Sequence, residues 1–273
     1  MINLILSLFL SVSFAELKHP KTVKELKTVT AQISNQSRTS GGSGSVVQSD
    51  QSGSLILTNN HVCEAIQPNW IVTVNGSESK IQKIKKFNDH DLCLIKVNKD
   101  YGVSLELSKR IPKATEVSIV SGHPLMLPQV VTTGHFSDEM EIEIVVDMRP
   151  CTPEEEKQYG FECMFGMPIT KKYKSQLTSN LIQPGNSGSA VFNEKGQVAG
   201  VVFAGVGEIG FNFIVPALYV SYFVQNHTGY NWEKVKSNKE KKKDRQTEES
   251  STKEFYCQNN TKLICKLNDM LKR

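Results

Sequence analysis

The sequence has no apolar run long enough to cross a membrane, no internal repeat and no C-x-x-C pair. The apolar run at residues 4–15 falls short of the ~20 residues that a transmembrane helix needs. The missing C-x-x-C pair argues against a zinc ribbon or a thioredoxin-like redox site. The missing repeat argues against solenoids and propellers. The function must therefore be sought in local motifs of a globular chain.

An excess of one charge sign is also missing from most of the chain. The 273 residues carry a formal net charge of +4, which on its own would invite a nucleic-acid interpretation. Residues 234–253 hold eight basic and four acidic side chains, so they account for the whole excess. We therefore expect no nucleic-acid partner for the globular part. A basic binder of nucleic acid or anionic surfaces, acting through residues 234–253, is an alternative.

Length and composition leave room for one large domain or two small ones. The chain is 38% hydrophobic, which excludes a disulfide-dependent mini-protein, a collagen-like chain and a wholly disordered one. Residues 1–15 are typical of a secretory signal peptide cleaved near Ala15, so we expect a periplasmic or secreted protein. No Lys or Arg precedes the apolar run, and an uncleaved N-terminal anchor is the alternative.

The folded domain is expected over residues 16–230. Residues 231–253 are predicted to be a charged, solvated linker, because so few apolar side chains cannot offset the entropy cost of ordering; a solvated helix is the alternative. Residues 254–273 are predicted to be a short Cys-containing tail. These last twenty residues are expected to be a small appendage and not an independent domain.

Between about residues 29 and 215 the chain alternates short Val- and Ile-rich runs with turn residues. Residues 129–134 and 141–147, for example, are predicted as separate strands. Many short strands without long intervening helices favour antiparallel barrels or a sandwich. One helix is expected from Pro216 to about Gln225, because Pro suits the first helical turn.

Three local patterns carry candidate chemistry. Ser187 lies between glycines in a tight turn, where an exposed hydroxyl and backbone N–H groups can act together. His61 follows a strand, and an imidazole there can move protons near neutral pH. Asp91 opens an apolar strand, where a carboxylate can accept a hydrogen bond from imidazole. Each pattern also has a plain structural interpretation: a turn, a structural His and a strand cap.

Taken in order, these patterns resemble the trypsin-like serine peptidases, most closely the HtrA (Deg) branch. The resemblance covers roughly residues 25–225 and implies two antiparallel six-stranded β-barrels with a C-terminal helix, an all-β fold. The segments that carry it are residues 42–47 (GSGSVV), 57–62 (LTNNHV), 91–97 (DLCLIKV), 184–188 (PGNSG) and 209–216 (IGFNFIVP).

The resemblance implies a serine endopeptidase that acts on protein substrates without a cofactor or a metal. His61 would be the general base, Asp91 would orient it and Ser187 would be the nucleophile. Asp89 is a competitor for the acid, and His90 is expected to face the rim. The remaining implied positions are the oxyanion-hole N–H groups of Gly185 and Ser187, the pocket base Leu181 and the pocket wall Phe203, Ala204 and Gly205. With no acid at Leu181, we expect a fairly small apolar side chain before the scissile bond.

The sequence departs from the family pattern in three places. Ser189 and Ala190 replace the usual Gly-Pro, which leaves the oxyanion-hole geometry less assured. The PDZ domain usual in the HtrA branch is not expected, because too few residues follow the predicted domain. An insertion over residues 147–174 falls among the loops that line the cleft in the family. It would either contact the substrate or be a surface loop without a role in binding. A catalytically silent homologue that binds proteins is therefore an alternative function.

Six cysteines fit disulfides in an exported chain. Two candidate pairs are close in sequence, Cys151 with Cys163 and Cys257 with Cys265. The resemblance places Cys63 and Cys93 in the same barrel, each two residues after a proposed triad member. They would form a bridge bracing His61 and Asp91, or would be two free buried thiols.

Overall fold

Two rings of antiparallel strands form the frame of the protein. The computed structural model describes residues 17–159, 166–206 and 211–244. The strands are β1 Thr30–Ser34, β2 Gly41–Asp50, β3 Gly53–Thr58, β4 Ile71–Val74, β5 Ser77–Phe87, β6 Leu92–Val97, β7 Val117–Gly122, β8 Val130–Arg149, β9 Met167–Thr178, β10 Ala190–Phe192, β11 Val198–Val206, β12 Phe211–Pro216 and β13 Glu233–Lys234. The helices are α1 Val23–Val29, α2 Asn60–Ala65, α3 Pro153–Tyr159, α4 Ala217–Gln225 and α5, residues 238–244.

The first ring runs β5–β4–β1–β2–β3–β6 and closes by pairing of β6 with β5. Its interior is filled by branched aliphatic side chains such as Ile33, Ile56 and Leu94, which are fully buried. Burial of each such side chain stabilises the fold by about 1.5–3 kcal/mol. Gly44 allows the strands to approach closely, because a Cβ there would lie 2.8 Å from the Leu57 carbonyl oxygen. The resulting barrel carries α2 at one end of β3.

The second ring runs β10–β11–β12–β9–β8–β7 and is a closed barrel. Its own core contains Phe136, Val191, Val202 and Ile214, all essentially inaccessible to solvent. The prediction of two six-stranded barrels is therefore confirmed. Helix α4 is confirmed as well, and begins just after Pro216.

Helix α4 joins the second barrel to the first. Phe223 on α4 is fully buried and stacks on Phe87 at the end of β5, with ring centroids 5.1 Å apart. Tyr230, beyond the helix, meets both rings edge-on at 5.3 and 5.5 Å. This aromatic cluster fixes the start of the C-terminal segment against the first barrel.

Strands β8 and β9 extend beyond the second barrel as a long hairpin arm. The two strands predicted at residues 129–134 and 141–147 are one strand with a register shift between Phe136 and Glu139. At the far end, the Arg149 guanidinium makes two hydrogen bonds of 2.6 and 2.7 Å to the Glu155 carboxylate of α3. Cys151 is disulfide-bonded, and Cys163, its expected partner, lies outside the described residues.

The described part of the C-terminal segment differs from the expected solvated linker. Residues 233–234 add a short strand to the first barrel and residues 238–244 are helical. The predicted signal peptide, residues 1–15, and the Cys257–Cys265 pair lie outside the described residues. Across the described ranges, no helix is both long and apolar enough to cross a membrane.

Candidate active site

Asp91 lies where a 3-10 turn over Asn88–His90 meets strand β6. Its backbone adopts the left-handed conformation, with φ 50° and ψ 44°. Asp is among the few residues that tolerate this conformation, because its short side chain can form local hydrogen bonds. The turn directs the buried carboxylate toward α2 instead of along the strand.

His61, in the first turn of α2, binds both oxygens of that carboxylate. Its Nδ1 lies 2.7 Å from Asp91 Oδ2, and its backbone N–H donates to Oδ1 at 2.9 Å. The side chain of His61 is 46% exposed whereas that of Asp91 is 12% exposed. The carboxylate thus holds the ring through Nδ1 and leaves Nε2 available for proton transfer.

Two further connections fix α2 relative to Asp91. The Asn60 N–H and the Asn59 side-chain amide both donate to the Asp91 carbonyl oxygen, at 3.1 and 3.0 Å. A disulfide joins Cys63 of α2 to Cys93 of β6. The bridge that the sequence suggested between the neighbours of His61 and Asp91 is confirmed, and the alternative of two free thiols is not.

Ser187 lies in a turn whose shape depends on two glycines. Gly185 and Gly188 have φ values of +97° and +87°, which side chains with a Cβ rarely adopt. A Cβ on Gly188 would also lie 2.1 Å from Thr58 Oγ1. Ser43 of β2 donates its N–H to the Ser187 carbonyl at 2.8 Å and its hydroxyl to the Gly185 carbonyl at 2.7 Å. The turn is therefore held against the first barrel.

The Ser187 turn and α2 face each other across Gly42. A Cβ at Gly42 would lie 2.8 Å from Val62 Cγ2 and 3.1 Å from the Ser187 carbonyl oxygen. Within the described residues no hydrogen bond joins Ser187 Oγ to His61. Such a contact is commonly long in the absence of substrate and tightens in the complex.

The backbone of the same turn presents two N–H groups. Asn186 and Gly188 donate theirs to the carbonyls of Gln183 and Val202. The N–H groups of Gly185 and Ser187 donate to no carbonyl among the backbone bonds of the described chain. Two such amides in one tight turn match the requirement for oxyanion stabilisation.

Ser189, the departure from the family pattern, is accommodated by Gly122. Its side chain is fully buried, and its hydroxyl lies 3.4 Å from Asn186 Oδ1. A Cβ at Gly122 would lie 2.0 Å from Ser189 Oγ and 2.4 Å from Asn186 Oδ1. The space for the additional hydroxyl therefore comes from the missing side chain at Gly122.

A cavity of about 700 Å³ opens beside His61 and Asp91. Phe203 and Ala204, two of the predicted wall residues, line it, whereas Gly205 is exposed next to them. Leu181 is not among its lining residues and is 68% exposed. The cavity's other lining residues include Ile144, Ile169 and Tyr173 of the hairpin arm.

Sequence reasoning did not identify these arm residues. The alternation of Glu and Ile at residues 141–144 was a signal, since it places Ile142 and Ile144 on one face of the strand. Tyr173 lies on that face too, opposite Ile142 in the register, and its ring centroid is 5.8 Å from that of Phe203. Ser43 was also missed as a support of the turn, although it belongs to the GSGSVV segment.

The two other candidates near Asp91 lie away from the imidazole of His61. Asp89 is exposed. His90 stacks on Tyr219 of α4 with ring centroids 4.0 Å apart, and burial lowers the pKa of His90. In the described ranges, no cluster of three or more His, Cys, Asp or Glu side chains could hold a metal ion.

Comparisons with known proteins agree with this fold. A family model described as a trypsin-like peptidase domain matches residues 42–201. The fold is similar to the active form of the Rv3671c protease from M. tuberculosis, with a TM-score of 0.57 and 17% identity over 77% of this chain and 88% of that one. It is also similar to a serine endoprotease from Yersinia pestis, with a TM-score of 0.54 and 22% identity over 76% of this chain and 66% of that one.

A third similar structure is the HtrA-type protease AlgW with a tripeptide. Its TM-score is 0.52 and its identity 21%, over 72% of this chain and 58% of that one. No curated protein matches the sequence.

Replacing Asp91 by Asn should abolish most activity while Asp89→Asn should not. In Asp91→Asn the amide would favour the wrong imidazole tautomer, a change that costs about 10⁴-fold in kcat in a Ser-His-Asp triad. The measurement is the rate of casein cleavage by each purified variant. Equal losses in both variants would contradict the assignment of Asp91.

Gly122→Ala should destabilise the protein because its Cβ would meet Ser189 and Asn186. We expect a loss of about 1–3 kcal/mol in the free energy of unfolding, as for other overpacked sites. The double variant Gly122→Ala/Ser189→Gly should recover part of that loss, with Ser189→Gly alone as the control. A double variant no more stable than Gly122→Ala would show that the strain arises elsewhere.

Proposed function

The chain belongs to the trypsin-like peptidase domain family, and we propose that it hydrolyses peptide bonds in protein substrates through a triad of His61, Asp91 and Ser187. The observation that carries this proposal is the pair of hydrogen bonds between His61 and the Asp91 carboxylate. One joins Nδ1 of the ring to Oδ2 at 2.7 Å, and the other joins the backbone N–H to Oδ1 at 2.9 Å. The α2 helix that bears His61 faces the glycine-bounded turn that bears Ser187.

The reaction would proceed through an acyl-enzyme. Ser187 Oγ attacks the scissile carbonyl while His61 Nε2 accepts the hydroxyl proton. The peptide oxygen becomes an oxyanion that the N–H groups of Gly185 and Ser187 stabilise. Collapse of the tetrahedral intermediate breaks the C–N bond, and His61 returns its proton to the leaving amine. A water molecule, deprotonated by His61, then attacks the ester and releases the acid product.

Asp91 contributes to both steps as a fixed negative charge. Its side chain is largely withdrawn from water whereas the ring of His61 is half exposed. An ion pair is stronger where less water surrounds it, so the imidazolium formed in each step is stabilised as it appears. The hydrogen bond to Nδ1 also fixes the tautomer that presents Nε2 to Ser187.

The cavity beside the triad supports an apolar preference. Phe203, Ala204, Ile144 and Tyr173 form the apolar part of its wall, and its polar lining residues include Glu64 and Lys171. We therefore propose that the substrate residue before the scissile bond has an apolar side chain. The hairpin arm would form part of the surface that contacts it.

An exported location agrees with the chemistry of the cysteines. Cys63 and Cys93 are joined, and Cys151 is disulfide-bonded. Disulfides persist in oxidising compartments such as the periplasm or the extracellular space. Together with the signal-like residues 1–15, these bonds support a protease that acts after export.

A fluorophosphonate probe should label the wild-type protein and fail to label Ser187→Ala. Because the nucleophile is removed, casein cleavage should fall by several orders of magnitude, while the thermal unfolding transition stays in place. Absence of labelling in folded wild-type protein would instead support the catalytically silent homologue.

A peptide-library cleavage profile should favour apolar residues directly before the scissile bond. Phe203→Asp, which places a charge in the apolar wall, should lower kcat/KM for those peptides by about 10-fold or more. Val23→Asp, a change at an exposed apolar residue of α1, is the control. A profile dominated by Lys or Arg would contradict the assignment of the pocket.

A further inference from the structure

Residues 230–244, here named the C-terminal strap, run along the first barrel. Strand β13 adds to β5, with Glu233 opposite Ile84 and Lys234 opposite Lys83. The Glu233 carboxylate also lies 3.2 Å from the ammonium of Lys86. The strap is therefore attached to the barrel by both backbone and side-chain contacts.

Trp232 anchors the beginning of the strap. The ammonium groups of Lys83 and Lys85 lie 5.0 and 4.4 Å from its ring centroid, within the range of cation–π attraction. Lys85 is almost completely buried and donates to the His227 carbonyl at 2.6 Å. This arrangement fixes where the chain enters β13.

Helix α5 forms the far end of the strap. Ser237 caps it, since its hydroxyl oxygen accepts the Glu240 N–H at 3.4 Å while its own N–H donates to the Glu240 carboxylate at 2.6 Å. Asn238 and Lys241 are three residues apart and so share one face of the helix. Asn238 exchanges two hydrogen bonds with the side chain of Gln67, at 2.7 and 3.0 Å.

Lys241, on the same face, reaches the C-terminal end of α2. Its ammonium donates to the carbonyl oxygens of Glu64 and Ile66 at 2.6 and 2.7 Å. The last carbonyls of a helix have no partner within it, and the helix dipole favours a positive charge there. Helix α2 is the helix that carries His61.

Two kinds of contact hold the strap on the first barrel. Tyr230, Trp232 and Val235 pack against its apolar core, whereas Asn238 and Lys241 reach the end of α2 through hydrogen bonds. A cleft of about 470 Å³ lies between the strap and α2, lined by Cys63, Glu64 and Ile66 on one side and by Val235 and Lys241 on the other. Across this cleft, Lys241 bonds to the backbone of α2.

We infer that Lys241 is a positioning residue for His61. Helix α2 has only six residues, so its own backbone bonds give it little stability. Asp91 holds its first turn, the disulfide at Cys63 holds its middle, and Lys241 holds its end. Loss of the last contact would let the helix, and with it the imidazole, move relative to Ser187. This inference rests on the proposed function.

The test compares Lys241→Met with Lys241→Arg in the full chain. Methionine keeps most of the length of the side chain but donates no hydrogen bond, whereas arginine keeps the donors. We expect Lys241→Met to reduce kcat and the rate of fluorophosphonate labelling about 10-fold, below the 10²-fold loss that a 1 Å misplacement can cause. KM for a peptide substrate should change by less than about twofold. Lys241→Arg should restore most of the rate.

Lys239→Met is the matched control. Lys239 is exposed and lies on α5 away from the face that Asn238 and Lys241 share. The substitution removes the same charge from the same helix, so the labelling rate should remain that of the wild type. A loss as large as that of Lys241→Met would show that total charge, not the contact with α2, matters.

Hydrogen exchange provides a readout that does not depend on activity. In a Ser187→Ala background, Lys241→Met should speed exchange of the α2 amides while those of β6 stay protected. Unchanged α2 exchange together with an unchanged labelling rate would overturn the inference. So would a labelling rate that falls only in proportion to the unfolded fraction. Wild-type protein that is never labelled would instead refute the proposed function, a distinct outcome.

Discussion

The carboxylate of Asp91 accepts two hydrogen bonds from a single residue, one from the imidazole of His61 and one from its backbone N–H. The Asp91 carbonyl accepts two more, from Asn59 and Asn60. One acidic residue therefore sets the position of α2, the orientation of the ring and the nitrogen left for catalysis. Its left-handed backbone, a conformation that costs on the order of 1–3 kcal/mol elsewhere, is what directs both the carboxylate and the carbonyl to α2.

The nucleophile reaches this site because the turn from the second barrel is attached to the first. Ser43 of β2 bonds to the carbonyls of both Ser187 and Gly185, and its hydroxyl accepts the N–H of His123, which follows β7. Strand β2 is thus the shared support of the turn. Because β2 pairs with β3, which leads directly into α2, the base and the nucleophile are positioned by the same part of one barrel.

The sequence predicted two kinds of feature. The all-β character and α4 follow from local strand patterns and from Pro216. The two six-stranded barrels and the contact of His61 with Asp91 join residues far apart in the chain, and only the family resemblance implied them. The resemblance also brought Cys63 and Cys93 together, with a bridge as one of two alternatives. Leu181 was expected at the base of the pocket because of its distance in sequence from Ser187. Sequence distance does not show whether a loop turns a side chain toward a cavity or into solvent. Part of the hairpin arm was predicted as an insertion because its second strand, β9, pairs with β8 residues far away in the chain.

The C-terminal strap shows that composition alone does not predict whether a charged segment is solvated or packed against the fold. A segment dense in lysine predicts solvation, since an isolated ammonium is costly to bury. Yet three lysines donate to backbone carbonyls around the site: Lys85 to His227, Lys171 of the arm to Asn88, and Lys241 to the end of α2. Carbonyls at the ends of turns and short helices lack partners within their own element, and a long side chain from a distant segment can supply one. Of these three lysines, only Lys241 lies in the segment whose charge argues for a linker, and it bonds to the end of the helix that bears the proposed base.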